Sequence, residues 1–263
     1  MKKKRKTDRS RPDHYAKKAK KDHFPARSVY KLEEIQKKFR VIRPKDRVLD
    51  LGCAPGSWLK YVADIAGAGG KVVGVDLKDV DTRDLPESVL FCKGDILSLA
   101  EAFSGELDGE LAGELAGADS QWQAGEPDIE GVDEPGGEAE DDENDVARAA
   151  LREAVDGEYD VVLSDMAPNT TGIRSVDAAR SFVLAEAALQ IANRMLAPGG
   201  SFVVKIFQGD DFDGFIRTIK EQYRSRKIYK PQSTRKESKE IYVIGIGKKE
   251  KGKKWPDTAS GRI

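Results

Sequence analysis

An α/β fold on a mainly parallel sheet is predicted by three features of this chain. Short apolar runs recur along it, segments with helical spacing lie between them, and glycine or proline breaks separate the two. Residues 26–39 place Leu32, Ile35 and Phe39 at helical spacing, an amphipathic helix. Residues 47–52 read as a buried strand running into a Gly/Pro turn. The helix that follows carries Trp58, Leu59, Tyr61, Val62 and Ile65, and Gly67 to Gly70 end it. Strands are then expected at 71–76, 89–92 and 159–165. A helix over 176–196 stops at Pro198-Gly199-Gly200, and a fifth strand covers 201–207. After a helix at 212–223, the runs 227–229 and 240–245 complete the set. The loop between them has little room for a crossover helix, so an antiparallel hairpin is predicted.

The 263 residues suffice for one sizeable core with tails or an insertion left over. A net charge of -1 conceals strong segregation of sign. Residues 1–48 carry 19 basic and 6 acidic side chains, residues 101–158 carry 2 and 20, and residues 216–263 carry 15 and 5. Basic surface attracts polyanions and acidic surface repels them, so a nucleic-acid partner is expected. Residues 1–22 read as a flexible basic arm and 249–263 as a basic tail. Between them, a 23–248 domain is interrupted by an acidic, low-complexity insertion at 104–158, with a helix rejoining at 146–155. The chain starts with charges and no apolar stretch, and no run reaches the ~20 apolar residues of a membrane span. A cytoplasmic protein without a membrane partner is expected. Cys53 and Cys92 form no C-x-x-C pair, and His14 and His23 lie in the basic arm, so no disulfide or metal site is expected.

In an open α/β sheet, ligands bind beyond the carboxyl ends of the strands. The loop Asp50-Leu51-Gly52-Cys53-Ala54-Pro55-Gly56-Ser57-Trp58 stands there. Gly52 and Gly56 permit close backbone approach, and the amides opening the next helix face the ligand. The loop does not read G-x-G-x-x-G, and Pro55 removes one donor that a dinucleotide cradle would use. Asp76 ends the second strand, placed to accept from ribose hydroxyls. Asp95 follows the third, placed to accept from an adenine amino group. This ordered set favours S-adenosylmethionine over a dinucleotide. Taken singly, Gly52 and Gly56 are turn residues and Asp76 and Asp95 strand-end caps.

That loop, with Ser164-Asp165-Met166-Ala167-Pro168-Asn169, Pro198-Gly199-Gly200-Ser201-Phe202-Val203-Val204-Lys205 and Ser238-Lys239-Glu240-Ile241-Tyr242, resembles the RrmJ/FtsJ family of ribosomal RNA ribose 2'-O-methyltransferases. The similarity runs from about Asp13 to Lys248, broken only by the acidic insertion. It implies a Rossmann-like, S-adenosylmethionine-dependent methyltransferase fold: seven strands, mainly parallel with one antiparallel, and helices on both faces. It implies a catalytic tetrad of Lys31, Asp165, Lys205 and Glu240, and a cofactor held by Gly56, Trp58, Asp76, Asp95 and Asp165. The substrate implied is large-subunit ribosomal RNA, methylated at a uridine ribose by a monomer. Cys53 and Ser57 depart from the Ala and Gly common in relatives, and the insertion has no recognised counterpart.

Two lysines and two carboxylates suit methyl transfer to a hydroxyl, which must be aligned and relieved of its proton. Lys205 is expected to act either as general base or as a donor that holds the oxygen's lone pair. The bland alternative is a pair of surface ion pairs worth less than ~1 kcal/mol each. Tyr30, Tyr229 and Tyr242 are candidates to stack on a splayed base, or packing residues. Cys53 reads as packing, and Trp58 as part pocket wall, part core. Residues 17–47 and 224–239 are expected to form the phosphate-contacting face. Competing functions are a transfer RNA methyltransferase, a non-catalytic RNA-binding assembly factor and a nucleotide-dependent oxidoreductase.

Overall fold

The structure, a computed structural model, describes residues 14–104, 158–235 and 237–250. Helices α1 (His14–Lys21) and α2 (Val29–Phe39) precede strand β1 (Arg47–Leu51) and α3 (Ser57–Ala66). Then come β2 (Lys71–Asp76), β3 (Val89–Lys93), α4 (Ile96–Ser104) and β4 (Tyr159–Ser164). The C-terminal half holds α5 (Arg174–Met195), β5 (Leu196–Phe207), α6 (Phe212–Gln222), β6 (Tyr223–Tyr229) and β7 (Glu240–Lys248).

One seven-stranded sheet runs in the order β3-β2-β1-β4-β5-β7-β6. The first five are parallel neighbours, and β7 lies antiparallel to both β5 and β6. The seven strands and the single antiparallel member are those predicted. Both faces of the sheet are covered, which is why its central strands are apolar without alternation. Alternate residues nonetheless go to opposite faces. Leu49, Val73, Val162 and Phe202 pack with Leu99, Ile191 and Phe215 from α4, α5 and α6. Val48, Val72, Leu163 and Val203 pack with Leu32, Ile35, Leu59 and Val62 from α2 and α3. The second face is the one that matters for function, because it puts α2 over β5 and β7.

Most boundaries shift by a few residues, and two strand starts shift furthest. Strand β5 starts at Leu196 instead of 201, since Leu196 pairs with Tyr159 ahead of a register shift. Strand β6 starts at Tyr223 because its edge pairs with β7 out to Lys248, although the residues are mostly polar. A larger correction concerns the arm expected at 1–22: His14–Lys21 form α1. It is held by Tyr15 against Tyr30, by the Lys18 ammonium 3.8 Å from the centre of the Tyr30 ring, and by Tyr30 donating to Asp22. The insertion 105–157, including the helix expected at 146–155, and residues 1–13 and 251–263 lie outside the described residues. Among the described residues no helix is long and apolar enough to cross a membrane.

At the base of the sheet Lys248 donates to the carbonyls of Ala192, Asn193 and Leu196 at 3.0, 2.8 and 2.6 Å. These carbonyls lie at the C-terminus of α5, where the Ala192 carbonyl also takes the Leu196 amide, and a cation suits that negative terminus. The bonds tie α5 to β7. Lys248→Met is expected to cost about 1.5–3 kcal/mol and to lower the melting temperature by roughly 3–12 °C for a domain of this size. Thermal unfolding of the two proteins checks it, and equal midpoints would contradict it.

Candidate active site

Four elements converge beyond the carboxyl ends of β1, β2, β4 and β5. Gly52 and Gly56 take φ of 78° and 93°, backbone that favours glycine. A Cβ on Gly52 would lie 2.4 Å from Met166 Cγ, and one on Gly56 2.8 Å from Val80 Cγ1. The loop therefore lies tight against the strand ends, with Gly56 opening α3. Asp76 accepts from the Ala54 and Lys78 amides, both at 2.9 Å, so it braces this loop and keeps further lone pairs for a ligand. Asp95 serves as a cap for α4: its two oxygens take the Leu97 amide at 3.0 Å and the Ser98 hydroxyl at 3.1 Å. The cap alternative thus describes Asp95 directly, and a helix cap at a strand end is what its position after β3 predicts equally well.

Trp58 is 3% exposed, and its indole N–H donates to the Ser28 carbonyl at 3.0 Å. The ring sits among the buried residues between α2 and α3, with its centre 6.1 Å from that of Tyr242. Its side chain is structural support beneath the pocket, the core half of the mixed role expected. Ser57, one of the two departures from the family pattern, accepts the Ala26 amide at 2.6 Å. Together these bonds stitch the start of α2 to the start of α3. Cys53 is buried and its thiol is pushed well above the ordinary range, by burial first and then by Asp50 and Asp76, which suits packing and not attack.

The predicted tetrad assembles as two ion pairs. Lys205 Nζ stands 2.9 Å from Asp165 Oδ1 and also donates to the Asp165 backbone carbonyl. Lys31 Nζ stands 2.7 Å from Glu240 Oε1. Register explains the meeting. Lys205 of β5 lies opposite Tyr242 of β7, Phe207 opposite Glu240, and all four share the sheet face under α2. Side-chain exposure is 5% and 15% for the first pair and 12% and 13% for the second, so neither is the surface pair of the bland alternative. Burial pushes the Asp165 carboxyl upward, but the Lys205 and Lys31 ammoniums and the Tyr242 hydroxyl outweigh it and hold the carboxyl below its ordinary range.

Two residues at the site were not singled out for it from sequence. Tyr242 was read as a stacking candidate, yet it is fully buried and donates to Asp165 Oδ1. Burial, then Asp165 and Glu240, push its hydroxyl far above the ordinary range. Tyr30 donates to Asp22 and Tyr229 to Glu34, so the other two candidates pack as well. Asp50, quoted only as part of the loop, is 0% exposed on β1, and neither of its carboxyl oxygens has a partner among the described residues. Burial, and after it Asp165 and Asp76, raise its carboxyl well above the ordinary range.

These residues fit a cationic methyl donor. The carboxylates at 76 and 165, with the buried carboxyl of Asp50, gather around a glycine-built loop whose helix start offers backbone donors. Gly56, Asp76 and Asp165 stand where they would hold S-adenosylmethionine.

Fold and site together define a Rossmann-like methyltransferase. Residues 24–248 match the FtsJ-like methyltransferase family, and the chain belongs to that family, with S-adenosylmethionine as its methyl donor. It is 45% identical over 249 residues to the ribosomal RNA large subunit methyltransferase E of Desulfatibacillum aliphaticivorans, covering 95% of this chain and 97% of that one. The protein of the same name from Desulfosudis oleivorans is 45% identical over 243 residues, covering 92% and 93%. That of Methanothrix thermoacetophila is 39% identical over 237 residues, covering 90% and 73%. Among solved structures, a Plasmodium falciparum chain described as a ribosomal RNA methyltransferase superposes with a TM-score of 0.58 at 23% identity. It covers 86% of this chain and 98% of that one, a likeness of fold.

The raised carboxyl of Asp50 has a signed consequence. The folded state holds this proton above the pH at which the unfolded chain releases it, near ~3.9. Its contribution to stability is therefore present below that pH and lost as pH rises toward the folded value. In the ligand-free protein, Asp50→Asn should remove this slope. Unfolding free energies measured by denaturant from about pH 4.5 to 8 should fall more steeply for the wild type than for the variant. Parallel curves would contradict a buried, protonated Asp50.

Proposed function

We propose that this chain methylates a ribose 2'-hydroxyl, that of a uridine, in large-subunit ribosomal RNA, acting as a cytoplasmic monomer. The observation that carries the reading is the pairing of Lys205 with Asp165 and of Lys31 with Glu240 on one sheet face beside the glycine loop. The names and high coverage of the relatives support the substrate.

S-adenosylmethionine, when bound, supplies a methyl group on a positively charged sulfur. The chain's own residues must then hold the acceptor oxygen in line while its proton is lost. An ammonium has three hydrogens. Two of Lys205's are directed at Asp165, leaving the third for the acceptor oxygen. Lys205 then acts as an orienting donor to one lone pair of the oxygen while the other takes the methyl group, and the acidic proton of the methylated oxygen passes to solvent water as the C–O bond forms. Asp165, fixed by Lys205 and Tyr242, sets where that hydrogen points. Lys31 and Glu240 hold the ribose from the α2 side. Alignment of this kind contributes about 7–11 kcal/mol in the best intramolecular cases.

A basic substrate face fits the same geometry. Arg27 donates to the Ser233 carbonyl across 206 positions of sequence, so the basic segments 17–47 and 224–239 meet beside the Lys31–Glu240 pair. Phosphate contacts made there should lower the log–log salt slope by roughly 0.7 each on single-stranded RNA.

The test offers labelled S-adenosylmethionine with large ribosomal subunits, naked ribosomal RNA or transfer RNA to wild type, Lys205→Ala and Lys205→Arg. Wild type should label the ribosomal substrate. Lys205→Ala should bind the cofactor in calorimetry but lose at least ~100-fold in turnover, the scale on which loss of alignment of about 1 Å acts. Undiminished turnover in Lys205→Ala would remove the mechanism. Label confined to transfer RNA would remove the substrate, and an inert wild type would leave an RNA-binding assembly factor.

A further inference from the structure

The geometry points to Glu34 as a positioning residue for the Lys31–Glu240 pair, an inference that rests on the ribose-methylation reading. Glu34 lies three residues beyond Lys31 on α2, nearly one helical turn, so the two side chains share a face. Its carboxylate spans the turn between β6 and β7. Oε2 accepts the Gln232 amide at 2.6 Å and the Tyr229 hydroxyl at 3.1 Å, and Oε1 accepts the Ser233 amide at 2.8 Å. Arg27, in the turn just before α2, donates to the carbonyl of that same Ser233. Lys38, one turn beyond Glu34, lies 4.5 Å from the centre of the Tyr229 ring, and Phe39 meets that ring edge-on.

The turn so gripped leads directly to the site. Thr234, the next residue, donates to Glu240 Oε1 at 3.2 Å, and Lys31 Nζ sits 2.7 Å from the same oxygen. A closed ring of contacts results: α2 at Glu34, the amides at 232 and 233, Thr234, Glu240, and back to α2 at Lys31. A ring that begins and ends on one rigid helix fixes the relative position of its members more tightly than the ion pair alone. Two amides on one carboxylate are charge-assisted hydrogen bonds, the strong kind. A chain segment with no regular structure would otherwise leave Glu240 free to swing at the mouth of β7. Glu34 does not touch the acceptor or the cofactor in this scheme; it acts through the turn.

Two readouts test the assignment. The first, amide hydrogen exchange over 229–240, needs no activity: Glu34→Ala should speed it at least ~10-fold at Gln232 and Ser233, while Glu34→Gln, which keeps one acceptor oxygen, should give a smaller change. The second is steady-state transfer to large ribosomal subunits. Glu34→Ala should lower kcat on the order of 10- to 100-fold, since a misplacement of about 1 Å costs that much, with cofactor Kd unchanged and partial recovery in Glu34→Gln. On a Lys31→Ala background the same substitution should cost almost nothing more, because the ring is already open. Unchanged exchange would overturn the assignment, and so would a kcat loss that adds in full to that of Lys31→Ala, which marks a merely structural residue. Should the wild type itself fail to methylate ribosomal RNA, the functional reading falls, and the exchange result still decides whether Glu34 holds the turn.

Discussion

The contact on which the rest of this site depends is the Lys205–Asp165 pair, buried where β5 passes the end of β4. An ammonium and a carboxylate removed from water must satisfy each other, and breaking such a pair typically costs 3–5 kcal/mol. The fold keeps this pair satisfied by fixing it from several sides. The backbone carbonyl of Asp165 takes a second hydrogen of Lys205, Tyr242 donates to the Asp165 carboxylate, and the antiparallel register of β5 with β7 sets Tyr242 beside Lys205. Desolvation makes each of these interactions stronger than it would be at the surface. In the proposed reaction the value of that constraint is orientation, which transfer to a weakly nucleophilic hydroxyl requires.

Around that pair the protein is arranged as two clamps on one sheet face. The first is the glycine loop after β1, braced by Asp76 and stitched to α2 through Ser57 and Trp58. The second is the β6–β7 turn, gripped by Glu34 of α2 and by Arg27 in the turn just before that helix. Helix α2 belongs to both, so the donor pocket and the acceptor pair are referred to the same rigid body. Asp50 lies at the floor, a carboxyl buried without a partner among neighbouring carboxylates. A gathering of carboxyl groups that disfavours further negative charge suits a positively charged methyl donor.

Most of the architecture could be read from the chain because local pattern determined it. Apolar runs separated by helical spacing gave the seven strands, and the short 229–240 connection gave the antiparallel pair. The tetrad was legible through four collinear motifs, each ending or flanking an element. What escaped the sequence was set by non-local pairing. Tyr242 reads as any strand tyrosine until the β5–β7 register places it against Asp165. Glu34 reads as a helix surface charge until a turn 199 positions away meets it. Helix α1 was hidden by its lysines: its stability comes from Tyr15 and Lys18 against Tyr30, contacts that a strongly polar composition does not announce. Asp95 shows the converse: a strand-end carboxylate suits a ligand and a helix cap equally, and the bonds to Leu97 and Ser98 establish the cap.

The most direct check on the central claim is the chemical position of the transferred methyl. Ribosomal RNA modified by the purified protein would be hydrolysed in alkali and the resulting nucleotides resolved by mass spectrometry. A methyl on the ribose oxygen leaves an alkali-stable dinucleotide at the modified residue, and that product is expected here. A methyl found on a base, with every phosphodiester cleaved, would show that Lys205 and its partners do not face a sugar hydroxyl.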